Sequence, residues 1–155
     1  MTGGVAGRAG LLAAAVIAVD QATKAWVRAT LELGENDPIL PGVDLVNVRN
    51  SGVAFGLLSG GGALVVVVTS LALLALVAFF AYNRRRPLVW LPTGLLLGGA
   101  VGNLVDRIRE GSVTDFVDIP LWPAFNVADV AITFGVLSLL YVLEGPARAE
   151  DEPAA

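Results

Sequence analysis

The sequence contains no cysteine and no histidine. Those two absences remove thiol nucleophiles, disulfide frameworks, Ser-His and Cys-His relays and histidine-ligated zinc from the chemistry open to the chain. Charge is scarce as well: 15% of the 155 residues are Asp, Glu, Lys or Arg, and the formal net charge is -4. So few cations on an acidic balance make no basic surface for nucleic acid. What the chain has instead is apolar surface, 55% of its residues, with a mean hydropathy of +0.74 and its charges gathered into islands. That is the profile of a membrane protein.

Four segments are candidates to cross a bilayer, at about 9–28, 63–82, 87–106 and 126–143, within one integral membrane domain over 1–155 whose residues 144–155 form a cytoplasmic tail. No charge interrupts Ala63 to Tyr82, which at about 1.5 Å per residue covers roughly 30 Å of hydrocarbon. The fourth segment carries one charge, Asp129, and the prolines Pro120 and Pro123 ahead of it suit a loop rather than a helix interior. The first is the least clear. Its apolar run from Ala9 ends at Asp20, and with Arg8 ahead it is also readable as a cleavable signal peptide. The apolar pattern resumes through Ala22, Ala25, Trp26 and Val27, however, and Asp20 and Lys24 lie four apart on one helix face, able to pair.

Lys and Arg divide evenly between the two sides of such a four-span chain, so the tight Arg84-Arg85-Arg86 hairpin decides the orientation and puts both termini in the cytoplasm. The unusual polar residues then converge on the outer side: Asp20 and Lys24, Asn50, Asn103 with Asp106 and Arg107, and Asn126 with Asp129. Polar residues also collect wherever helices leave a bilayer, which accounts for any one of them. It accounts less well for Asn-x-x-Asp-Arg at one helix end and Asn-x-x-Asp at another.

Between the first two spans, Asp44-Leu-Val-Asn-Val-Arg49 alternates like a short strand. Ser51 to Leu58 is apolar but too short to span, so it is either an interfacial helix or a plain connector. The expected fold class is an all-α membrane protein: four transmembrane helices with a small extramembrane β platform and an interfacial helix between helices one and two. Gly94, Gly98 and Gly102, at four-residue spacing, point to close helix packing.

Asp115 in Val113-Thr-Asp-Phe-Val117 and Asp129 in Phe125-Asn-Val-Ala-Asp129 are the candidates for chemistry. Two unit charges about 4 Å apart at an effective dielectric near 20 repel by roughly 4 kcal/mol, or about three pKa units. A close pair would therefore share one proton, one member acting as base on water and the other as acid.

Asp20-Gln-Ala-Thr-Lys24, Asn50-Ser-Gly-Val-Ala-Phe55, Gly98-Gly-Ala-Val-Gly-Asn-Leu-Val-Asp-Arg107, Val113-Thr-Asp-Phe-Val117 and Phe125-Asn-Val-Ala-Asp129 stand in the order and spacing of lipoprotein signal peptidase. The resemblance to this type II signal peptidase family runs from Asp20 to about Leu143. It implies an aspartyl endopeptidase of the bacterial inner membrane that cuts prolipoproteins before the diacylglyceryl-modified cysteine, acting as a monomer without cofactor or metal and in contact with membrane lipids. The catalytic pair falls on Asp115 and Asp129; Asp20, Lys24, Asn50, Asn103, Asp106, Arg107 and Asn126 match the supporting positions. Three other classes compete: a small transporter or channel with carboxylates in the membrane, a magnesium-dependent lipid phosphotransferase, and a serine-lysine peptidase using Lys24 with Ser51.

Overall fold

The computed structural model describes residues 3–52, 62–86 and 88–144. Four helices and four strands follow in the order α1 (Gly3–Thr30), β1 (Asn36–Leu40), β2 (Val43–Asn50), α2 (Gly62–Asn83), α3 (Trp90–Glu110), β3 (Val113–Ile119), β4 (Trp122–Phe125) and α4 (Val127–Glu144). The interfacial helix expected at Ser51 to Leu58 falls mainly on residues outside those described, as do 145–155 of the tail.

Three helices, within Gly4–Thr30, Ala63–Asn83 and Val127–Glu144, are long and apolar enough to cross a membrane. The extreme case is α2. It is rich in Val and Leu on every side, and Leu64, Val67, Val68, Leu71, Leu74 and Val77 all lie exposed. Such a helix is stable where its surroundings are as apolar as itself, because every backbone polar group is satisfied within the segment.

α3 is built differently. It packs against each of the other three helices and buries glycines and polar residues rather than large apolar ones. A Cβ added to Gly98 would lie 2.6 Å from Val16 Cβ of α1, and one added to Gly99 would lie 2.5 Å from the Ala128 carbonyl oxygen of α4. Only glycine lets the backbones meet so closely. The helix ends at Gly111, whose left-handed conformation (φ 73°) closes the last turn with its N–H on the Arg107 carbonyl at 3.1 Å. Two residues later the chain enters β3, so this cap aims the strand that carries Asp115.

The strands form one antiparallel sheet in the order β1-β2-β3-β4. Half of it comes from the connection between α3 and α4, whereas the expected platform lay wholly between the first two helices. Pro120 and Pro123 explain the difference. They argue against a helix interior but not against a hairpin: Pro120 sits in the turn and Pro123 on the edge strand β4, where no ladder donor is missed. Beneath the sheet, Val27 and Leu31 of α1 pack on Phe116 of β3, with Leu45, Val117 and Val127 around them.

Candidate active site

The first turn of α4 is closed by a reciprocal pair. Asn126 precedes the helix and accepts from the Asp129 N–H through Oδ1 at 3.0 Å, while Asp129 Oδ2 accepts from the Asn126 N–H at 3.2 Å. This is a capping box with Asn and Asp in the two roles, and it satisfies two donors that a helix start leaves orphaned. By itself it is a structural reason for both residues. The remaining oxygen, Asp129 Oδ1, turns to α3 and accepts from Asn103 Nδ2 at 2.8 Å.

Asn103 is oriented in turn by Lys24, which is fully buried. The ammonium meets Asp20 Oδ2 at 2.8 Å, Asp106 Oδ2 at 3.0 Å and Asn103 Oδ1 at 2.8 Å, so all three of its donors are used. Because an ammonium can only donate, Asn103 must offer it the carbonyl oxygen and present its NH₂ to Asp129. The flip state of that amide follows from the charge of Lys24. Asp20 also accepts from the Ala128 N–H at 2.9 Å, and Asp106 from the Thr114 N–H at 3.3 Å. These contacts tie α1 to the start of α4 and α3 to β3.

Asp115 lies on β3, 2% exposed. Its Oδ1 accepts from Asn126 Nδ2 at 2.6 Å and its Oδ2 from Asn50 Nδ2 of β2 at 2.9 Å. Asn126 also reaches Asn103 Oδ1 at 3.2 Å. Burial pushes the Asp115 carboxyl up to about 6 from its ordinary 3.8, and the nearby charge of Asp129 adds to the rise; donation from Asn50 and Asn126 and the charge of Lys24 act the other way. Among the described residues neither Asp115 nor Asp129 is in an ion pair.

Both carboxylates line one cavity of about 390 Å³, together with Asn50, Asn103 and Arg107. Its other walls are apolar or aromatic, among them Val65 of α2, Ile132 of α4, and Trp122 and Phe125 of β4. The volume is within the range of small-molecule and peptide side-chain sites. Arg107 donates to the carbonyls of Asn103 at 3.4 Å and Gly52 at 3.2 Å, and its buried Nε finds no partner among the described residues.

All nine residues singled out in the sequence thus meet in one polar region at the ends of α1 and α3, the start of α4 and the strands β2 and β3. Several further members were not singled out. Gln21 donates to Asp106 Oδ1 at 2.9 Å and to the Gly102 carbonyl at 3.2 Å. Thr114 accepts from Arg28 at 3.0 Å and from Arg49 at 3.1 Å, and both arginines pair with Glu110. Helical spacing held a signal for two of these: Arg28 continues the Asp20-Lys24 face, and Glu110 continues the face of Asn103, Asp106 and Arg107. Nothing in the local sequence marked Thr114.

A profile of the family described as Signal peptidase (SPase) II matches residues 12–144. The lipoprotein signal peptidase of Moorella thermoacetica is 44% identical over 139 residues, 88% of this chain and 93% of that protein. That of Syntrophotalea carbinolica is 45% identical over 139 residues, covering 84% and 86%. Among solved structures, a bacterial membrane enzyme determined by the in meso method at 2.3 Å superposes with a TM-score of 0.86 at 32% identity, over 96% of this chain and 94% of that one. A second, at 1.9 Å, gives 0.82 at 33% identity, over 91% and 95%. Matched along nearly its whole length in sequence and in backbone, the chain belongs to the signal peptidase II family of membrane peptidases.

Proposed function

We propose that the protein is an intramembrane aspartyl endopeptidase that removes signal peptides from prolipoproteins, cutting before the diacylglyceryl-modified cysteine, with Asp115 and Asp129 as its catalytic pair. The observation that carries this reading is the shared cavity: two carboxylates open onto it, each held by neutral amide or backbone donors and neither in an ion pair among the described residues. The lipoprotein signal peptidases that the chain resembles support the substrate class.

In this reading one proton is held between the pair. The ionised carboxylate takes a proton from a water as its oxygen attacks the scissile carbonyl carbon, and the protonated one donates to the carbonyl oxygen as the tetrahedral adduct forms. Collapse of the adduct breaks the C–N bond and returns a proton to the leaving amine. Asn50, Asn103 and Asn126 fix the carboxylates from behind and leave their reactive edges to the cavity. Arg107 lines the same space and its guanidinium suits a substrate carbonyl. The apolar walls suit the acyl chains beside the scissile bond.

α1, α2 and α4 have the length and composition of spans, and α3, packed among them, is the fourth. With the Arg84-Arg85-Arg86 turn on the cytoplasmic side, both termini are cytoplasmic and the sheet lies at the outer face of the inner membrane, where water reaches the pair. The enzyme works as a monomer and without a cofactor.

The test is cleavage of a synthetic diacylated lipopeptide by purified protein, with and without chelator. Asp115→Asn and Asp129→Asn are each expected to lower turnover by about 10³-fold or more while still inserting and folding. Turnover near wild type in either variant removes the pair from the mechanism, and loss of turnover with chelator favours a metal-dependent reaction.

A further inference from the structure

On the face of the sheet opposite the cavity lies a second polar group that the catalytic reading leaves without a task. Arg49 of β2 and Arg28 of α1 both donate to Thr114 Oγ1 and both pair with Glu110, the last residue of α3. Thr114 is fully buried. The group bridges α1, β2, β3 and α3 through one hydroxyl and one carboxylate.

Its place in the strands gives it meaning. Arg49 pairs with Thr114 and Asn50 with Val113, while Val48 stands opposite Asp115. Successive strand residues point to opposite faces, so Arg49 and Thr114 meet on one side while Asn50 and Asp115 meet on the other. Just before this stretch the β2–β3 register shifts between Leu45 and Val48. A ladder interrupted there specifies the register of the following residues less firmly, and a slip of one residue would turn Asn50 away from the cavity.

The charged groups are one-quarter to one-third exposed, so their pairing adds little to global stability. What it supplies is geometric. We propose that Arg49, gripped by Glu110 and Thr114, is a positioning residue for the catalytic pair, locking β2 against β3 so that Asn50 stays hydrogen-bonded to Asp115.

This inference rests on the proposed aspartyl chemistry for its effect on turnover, but not for its effect on Asp115 itself. Asn50 donates to the ionised carboxylate, so losing that bond raises the pH at which Asp115 titrates. The charged groups facing Asp115 are Asp129 from α4, Lys24 from α1 and Arg107 from α3; α2 and β4 bring only uncharged residues to the cavity. Arg49 is on the other face and acts through Asn50.

The experiment follows the Asp115 carboxyl by ¹³C NMR titration in the full-length protein in detergent, alongside lipopeptide turnover. Arg49→Met and Asn50→Ala are each expected to move the Asp115 midpoint upward by about half to one pH unit and to lower kcat about three- to tenfold at unchanged KM. The double variant moves it no further than Asn50→Ala alone. Arg49→Lys recovers only part, because one nitrogen, Nη1, serves both Glu110 and Thr114, and an ammonium can donate to both but from a shorter stem. Should Arg49→Met not fold, Glu110→Gln loosens the same grip and gives the same readout. A midpoint in Arg49→Met equal to wild type, or one whose shift adds in full to that of Asn50→Ala, overturns the proposal. Absence of cleavage by the wild-type protein would overturn the peptidase reading, while the titration would still judge the role of Arg49.

Discussion

Asp20 and Asp106 share the ammonium of Lys24, whereas Asp115 and Asp129, one asparagine away, form no ion pair among the described residues. Both sets are hydrogen-bonded, all but the half-buried Asp129 are buried, and both lie where α1, α3 and α4 converge. The first set has its charge opposed directly and opens onto no cavity residue of its own. The second is held by amides and backbone N–H groups and faces free space. A carboxylate stabilised by an opposite charge is a poor base and a good brace. One held mainly by amide dipoles, as Asp115 is, keeps its proton affinity within reach of neutral pH.

The harshest way to break this contrast is to remove the shared ammonium. Lys24→Met leaves two buried carboxylates without a cation and frees the Asn103 amide to rotate, so the expected loss is on the order of 3–5 kcal/mol, read as thermal unfolding in detergent. A variant that melts with the wild type would mean that the Asp20-Lys24-Asp106 cluster is not the brace. A milder challenge is Gly102→Ala. The new Cβ would lie 2.7 Å from Asp20 Oδ2, displacing that carboxylate from Lys24 and from the Ala128 N–H without removing any charge. About 1–3 kcal/mol of stability should be lost, and Asp20→Asn added to Gly102→Ala should not restore it, since the contact is steric.

The gentlest probe is pH. With Asp115 raised to about 6 beside an ionised Asp129, that value marks loss of the proton the pair shares, so cleavage should decline as pH rises through it, by about tenfold per unit well above it. Stability should move the same way. The carboxyl titrates higher in the folded chain than its ordinary 3.8, so its contribution to folding is complete below that value and is lost as pH rises through about 6. A pH profile of activity flat between 5 and 7, values on the order of one unit either side of that midpoint, would separate Asp115 from the rate-determining ionisation.

Much of this arrangement is legible in the sequence because membrane helices leave few explanations for a polar residue. Asp20 and Lys24 stand out against Ala and Val, as do Asn103, Asp106 and Arg107 against Leu and Gly, and a four-residue spacing already says which share a face. The sheet is harder to read. Val113 to Ile119 does not alternate in polarity or in burial, and its partner is β2, more than sixty residues earlier, a separation at which strand pairing leaves no local mark. Thr114 and Arg49 belong to the same blind spot, each ordinary in its own segment and meaningful only across the ladder. The interfacial helix expected near Ser51 lies mainly outside the described residues.

The asparagines between the two sets have one more consequence. Asn103 and Asn126 neither take up nor release protons at any pH the cell meets, so they transmit orientation without transmitting charge. As the proposed catalytic carboxyls alternate between acid and conjugate base, the disturbance would end at two inert amides, and the framework gripping α1, α3 and α4 would be spared a change in its own ionisation with every turnover. The amides act as electrical insulation between a working part and its mount.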